Sequence, residues 1–332
     1  MYSADPRHTS ITTGTPGQVN ATKEVIISAG AFNTPQILKL SGVGPEAELQ
    51  KFNISVVVDL PGVGTNLEDH YEISTIIKYD QPHSFKLLSN CTFLAPGTTD
   101  ACYIQYASSS SNRGPYATDL VPVTAITKSS IAGSERDAII LGAPANFRGY
   151  YQGYSEALAD TLHWTWAVLK AHTHNFAGSV TLKSANPFDT PNINFNYFDA
   201  GTTILGEDEL DLQALVEAIG LTRNIYNTLP AMYQGTFEEV YPGANITSDE
   251  DVKTFIRNEA WSHHATSTAR IGADCDPYAV LDSNFRVRGV KGLRVVDASA
   301  LPRVPGFFPV TSVYMLGEKA ADVILAESEC GG

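Results

Sequence analysis

Between Glu24 and Gly44 the chain carries an apolar run, Glu24-Val-Ile-Ile-Ser-Ala29, then a glycine, then Thr34-Pro35, then Gln36 to Leu40, then Gly42. A short unbroken apolar run bounded by turn residues reads as a buried strand. Thr34-Pro35 reads as N-cap and first residue of a helix, where the missing proline N–H costs nothing. Gly42 reads as its stop, because a helix C-terminus commonly ends in a left-handed residue that glycine adopts without strain. Pro45 opens another short helix, and Ser55-Val-Val-Val-Asp59 reads as a strand. Strand, turn and helix in this order call for a mixed α/β (α+β) fold.

The middle of the chain has a different texture. Ile73 to Tyr79, Val180 to Lys183 and Ile193 to Tyr197 have strand composition and are separated by Pro, Asn and Gly, which suggests an antiparallel sheet platform. Leu212, Leu215, Val216 and Ile219 recur at helical spacing and predict a helix with a core face, and Glu207-Asp-Glu209 a solvated helix start. Toward the end, Leu293-Arg-Val-Val-Asp297 reads as a strand, and Val313, Leu316, Ala320 and Ile324 as one face of a C-terminal helix. The expected organisation is a first body over 1–70, a second over 71–250, and a return to the first over 251–332, complete near Asn258.

At 332 residues with 43% hydrophobic content, the chain can bury a sizeable core. A formal charge of -14 argues against nucleic acid or an anionic membrane as partner, since both require clustered Lys and Arg. No apolar run is long enough to span a bilayer, and Met1 to Pro6 lacks the apolar core of a signal peptide. Four N-glycosylation sequons, at Asn20, Asn53, Asn90 and Asn245, nevertheless point to a secreted or secretory-pathway glycoprotein. The cysteines, Cys91, Cys102, Cys275 and Cys330, contain no CxxC pair, so no metal site is expected. Cys91 and Cys102 flank a turn-rich stretch; a small disulfide loop and two buried thiols are both open readings.

Gly30-Ala-Phe-Asn-Thr-Pro-Gln-Ile-Leu-Lys-Leu-Ser-Gly-Val-Gly44 matches the second signature of the glucose–methanol–choline (GMC) flavin oxidoreductases at every defined position. Gly62-Val-Gly-Thr-Asn-Leu-Glu-Asp-His70 resembles a second block of that family. Gly178-Ser-Val-Thr-Leu182 with Asn186-Pro187 is similar to its substrate-domain sheet. His264-Ala-Thr-Ser-Thr268, Arg270-Ile-Gly272 and Leu293 to Ser299 complete the resemblance, which covers nearly the whole chain. Val280-Leu-Asp-Ser and Pro305-Gly-Phe-Phe look closest to fungal members, including those of secondary metabolism.

The resemblance implies an incomplete FAD-binding domain joined to a substrate domain. It also implies FAD as cofactor and oxidation of a small-molecule alcohol. His264 matches the family's base, and His263 is its neighbour. Asn66, His70, Asp297, Ala298, Phe308 and Pro309 fall where the family approaches the flavin. A flavin takes the hydride while the protein supplies a base, and imidazole suits that role with an unperturbed pKa of about 6.5.

Two departures from the family pattern matter. The strand, GxGxxG turn and helix that bind the ADP part of FAD lie outside this sequence. Gly42-Val-Gly44-Pro-Glu-Ala47 is a formal hit, but it follows a helix and carries Pro45. The chain alone is therefore expected not to hold FAD tightly, and its partner would be the missing N-terminal half or a second copy. The slot that in the family holds a second His or Asn is Phe308, whose ring can neither give nor take a proton. The alternatives are a flavin-free cyclase or isomerase of a biosynthetic intermediate, or an inactive remnant. Trp164, Trp166 and Trp261 read as core or as cavity lining.

Overall fold

The structure is a computed structural model and describes residues 17–79, 91–92, 99–108, 110–118, 120–158, 160, 162–198, 207–228 and 237–330. The sequon at Asn90 lies outside the described residues. The chain divides into two compact units. One comprises 2–70, 172–208 and 263–332, the other 71–171 and 209–262. The expected boundaries differ from this division in two places. Residues 172–208 group with the chain's two ends, and 251–262 with its middle.

The first stretch holds β1 (Val25–Ile27), α1 (Gly30–Leu40), β2 (Val43–Gly44), α2 (Glu46–Lys51) and β3 (Val58–Asp59). Helix α1 starts four residues earlier than Thr34, so Pro35 lies inside it. Thr34 does not cap the helix but reaches back. Its Oγ1 accepts from the Ala29 N–H at 3.1 Å and donates to Asp297 Oδ2 at 2.6 Å. Gly42 ends the helix with a positive φ of 82°, and a Cβ there would collide with the carbonyl of Ser55.

The middle unit contributes β4 (Tyr71–Tyr79), α3 (Ala101–Ser108), β5 (Val123–Thr127), β6 (Ala138–Ala143), α4 (Tyr154–Leu158) and β7 (His163–Lys170). After β8 (Ser179–Thr181) and β9 (Asn192–Asn194) come α5 (Glu207–Asn227), β10 (Phe237–Tyr241), α6 (Asp249–Glu259), β11 (Leu293–Val295) and α7 (Val310–Cys330).

The sheet of the middle unit is five-stranded and antiparallel throughout, in the order β10-β4-β7-β6-β5. Its central strand β7 is buried at every position. The predicted face of α5 is buried at Leu212, Leu215, Val216 and Ile219, and Thr75 on β4 meets Thr222 on α5 at 3.0 Å. At the start of α5, Asp208 is buried rather than solvated, while Glu209 pairs with Lys253 and Arg257 of α6. Trp164 and Trp166 are buried neighbours on β7, and Trp261 packs edge-on against Phe147 and Tyr150. Cys91 and Cys102 form a disulfide.

In the other unit, β1 pairs with β11 in parallel, β2 with β3 in parallel, and β8 with β9 antiparallel. Val180 and Ile193 thus belong to a separate two-stranded sheet, not to the platform expected to hold them. The core collects Leu38, Val63, Val280, Leu281, Val295 and Leu316. Strand β1 forms where expected but is not buried: Val25 is 50% and Ile26 46% exposed. It pairs with β11 alone, so among the described residues only one edge is satisfied.

Candidate active site

Asp69, at the end of the Gly62 to His70 block, organises two histidines that lie 194 positions apart in sequence. Its Oδ1 accepts the backbone N–H of His70 at 2.9 Å and that of His264 at 2.8 Å. Tyr197 donates its hydroxyl to the other carboxylate oxygen at 3.0 Å. One carboxylate thereby ties the ends of both motifs to a common point. The two imidazoles meet through their Nδ1 atoms at 2.9 Å, with rings nearly perpendicular.

The preceding turn is built by close backbone approach. Gly64 has a φ of 79°, and a Cβ there would strike the carbonyl of Val180. Its N–H donates to Thr268 O at 2.8 Å, and its own carbonyl accepts from Val180 at 2.7 Å. The glycine of this motif therefore serves packing that brings His70 and His264 within reach of each other.

His264 faces a cavity of about 640 Å³, lined also by His263, Phe308, Pro309, Val310, Val313, Tyr314, Gly317 and Glu318. His264 is buried and His263 exposed, with ring centroids 4.3 Å apart. Phe308 stands edge-on to His264 at 5.4 Å and is 43% exposed. Burial lowers the pKa of His264 to about 4, and the neighbouring His263 adds to this, so the ring is neutral across the neutral pH range. Its Nδ1 is engaged by His70 at 2.9 Å, which leaves Nε2 as the ring nitrogen outside that contact. The remaining wall is largely apolar side chains of α7 together with the N-terminal turn of that helix. The first N–H groups of a helix have no intrahelical acceptor and favour an electron-rich group.

Four of the predicted residues, His263, His264, Phe308 and Pro309, line one cavity. The other four do not. His70 sits behind His264 with no solvent exposure. Asn66 takes a left-handed φ of 60° and donates to Glu68 at 3.1 Å. The Asp297 carboxylate is filled by Gly30 N–H, Thr34 Oγ1 and the N–H and hydroxyl of Ser299, so it locks α1 to the turn after β11. Ala298 accepts from Ser267 N–H at 3.1 Å.

Sequence pattern alone does not single out Asp69 as the bracket or the run Val310, Val313, Tyr314, Gly317 on α7. Those four lie at i, i+3, i+4 and i+7, a helical face, but Val313 also shares its spacing with Leu316 and Ala320 of the core face.

Residues 5–72 and 175–317 match the N-terminal and C-terminal GMC oxidoreductase family models. The chain is 34% identical over 312 residues to an oxygen-dependent choline dehydrogenase of Brucella anthropi, an alignment covering 93% of this chain and 53% of that protein. A second choline dehydrogenase of the same description, from Photobacterium profundum, is 34% identical over 311 residues, covering 93% and 51%. Among solved structures, a variant of the formate oxidase of Aspergillus oryzae RIB40, studied for modification of its FAD, superposes with a TM-score of 0.74 at 27% identity. That match covers 93% of this chain and 55% of the other. The chain thus spans about half the length of the curated relatives it matches. With both family models aligned across its two ends and the signature motifs assembled around His70 and His264, the chain belongs to the GMC oxidoreductase family.

Proposed function

We propose that the protein to which this chain belongs oxidises a small-molecule alcohol with FAD, and that His264 is the base that receives the hydroxyl proton. The observation that carries this is a buried imidazole whose Nδ1 is held from behind while the ring faces a cavity with a largely apolar wall. The residues present fit the ring portion of a flavin. Phe308, Pro309 and the first two turns of α7 would flank it, and the helix N-terminus would favour its electron-rich end. The Gly42 to Ala47 segment, the one formal match to a phosphate-binding turn in the sequence, does not offer that role. A Cβ at Gly42 would strike Ser55 and one at Gly44 would strike Lys39, so both glycines serve internal packing rather than a phosphate. Bound FAD supplies the hydride acceptor.

The chain's own residues do the rest. His264 accepts the proton, His263 stands exposed beside it, and Phe308 restricts the ring without exchanging protons. The apolar side chains of the wall, Phe308, Val310, Val313 and Tyr314, offer a surface on which an apolar part of a ligand can rest. The proposed setting is the secretory pathway. Asn20, Asn53 and Asn245 are exposed, as glycan acceptors must be, and Cys91–Cys102 is a disulfide of the kind that persists in oxidising compartments.

The test is to add FAD to the purified chain, alone and with a co-expressed N-terminal half from a GMC relative. Flavin absorbance near about 450 nm and turnover of a panel of primary alcohols are then read. The expected result is tight flavin and turnover only in the two-part sample. A colourless sample that still converts a ligand without oxidation would instead support proton-transfer chemistry of the cyclase or isomerase class.

A further inference from the structure

We propose that His70 is the positioning residue of the site: by engaging His264 Nδ1 it fixes one tautomer of that ring, so that Nε2 is the nitrogen presented to substrate. This rests on reading His264 as the base.

Two nitrogens 2.9 Å apart share one hydrogen between them. His70 has no solvent exposure, so it cannot reach a ligand itself, whereas His264 lines the cavity. Both backbones are tied to the same oxygen of Asp69, which fixes the points from which the two rings reach each other. When the substrate O–H breaks and its proton forms an N–H bond at His264 Nε2, both ring nitrogens of His264 carry hydrogen. Its Nδ1–H must then point at His70 Nδ1, which accepts, and His70 keeps its own proton on Nε2. No electrons leave either ring in this step; the single positive charge rests on His264. Protonating both rings would force two N–H groups together at 2.9 Å, so the pair takes up one proton and not two. A neutral imidazole thus occupies the place that a carboxylate or carbonyl holds behind many catalytic and metal-bound histidines.

The experiment is ¹⁵N-histidine NMR on the purified 332-residue chain, with His70→Leu and His70→Asn, together with turnover wherever the flavin-loaded protein is active. In the wild type, His264 is expected to be protonated at Nδ1 and unprotonated at Nε2, with His70 the reverse. His70→Leu should release His264 into a mixture of tautomers and lower kcat about tenfold or more with little change in KM. His70→Asn, which places an amide oxygen where Nδ1 was, should restore the tautomer and most of the rate. A wild-type His264 protonated at Nε2 would overturn the proposal even if neither variant folds. So would a His70→Leu protein with an unchanged tautomer. Correct tautomers with no alcohol oxidation by the loaded protein would defeat the oxidase reading while leaving the positioning role intact.

Discussion

Thr268 donates its side-chain hydroxyl to the carbonyl of Ala31 at 2.7 Å, across 237 positions of sequence. The bond answers a deficit created by Pro35. In an α-helix the N–H of residue 35 would bond the carbonyl of residue 31, and proline has no N–H to give. Both Thr268 and Ala31 are buried, so water cannot fill the gap.

Replacing Thr268 with Val should therefore destabilise by about 1–3 kcal/mol, the cost of an unsatisfied buried carbonyl. Thr268→Ser should cost much less. Adding Pro35→Ala to Thr268→Val returns a donor from within the helix and should recover part of the loss. Denaturant unfolding of the four proteins checks this, and no recovery in the double variant would show that Pro35 is not the reason for the bond.

His264→Ala should lower turnover of the loaded protein by about 10²–10⁴-fold, the usual range for general base catalysis. His263→Ala should do far less, because His263 is exposed and only adjoins the ring. Steady-state kinetics on one substrate decides between them, and equal small losses would move the base elsewhere.

The pH dependence of stability follows from the lowered pKa of His264. In the unfolded chain the ring titrates near about 6.5, whereas in the folded protein it titrates at about 4 because burial, and then His263, disfavour its charged form. Between those values the unfolded state binds the extra proton, so stability is lost as pH falls through this window. His70 and His263 face the ring, while Asp69 holds the backbone N–H of His264, a bond that a His264→Gln variant can still make. Wild type should lose more Tm than His264→Gln between about pH 7 and about pH 4.5. Parallel curves would contradict the shift.

Lys39 is a buried cation, 1% exposed, held by Glu48 at 2.7 Å and by the carbonyl of Val180 at 2.7 Å. Burial lowers its pKa, against the opposing pull of Glu48. Glu48→Gln leaves the ammonium without its counter-charge and should cost about 3–5 kcal/mol. The double change Lys39→Met with Glu48→Gln should cost less than Glu48→Gln alone. Thermal unfolding measures both, and additive losses would mean the pair is not coupled.

Val25 and Ile26 expose apolar side chains on a strand paired at one edge, and Tyr314 and Met315 on α7 are 75% and 66% exposed. Exposed apolar patches and open edges promote association. Changing Val25 and Ile26 together to Thr should reduce oligomers and dye binding by the purified chain without lowering its Tm. Light scattering reads the outcome, and unchanged association would place the sticky surface elsewhere.

The sequence by itself determined the mixed fold, most element positions and the family, and it proposed His264 as the base. Each of these is written in local pattern. The Gly30 to Gly44 signature states a turn and helix, α5 shows its core face as a periodicity, and His264 is marked by its spacing to Thr268. The tertiary structure alone decided what lies opposite what. Thr34 looked like a cap because local rules reward a hydroxyl before proline, yet it bonds Asp297, 263 positions away. Val180 and Ile193 had strand composition, but composition does not name a strand's partner, and their sheet is separate from the five-stranded one. Only folding shows that Asp297 spends its carboxylate on Gly30, Thr34 and Ser299, and that His70 spends its Nδ1 on His264. Hydrogen bonds between distant residues are set by where the backbone returns, and that return is a property of the packed chain, not of any window along it.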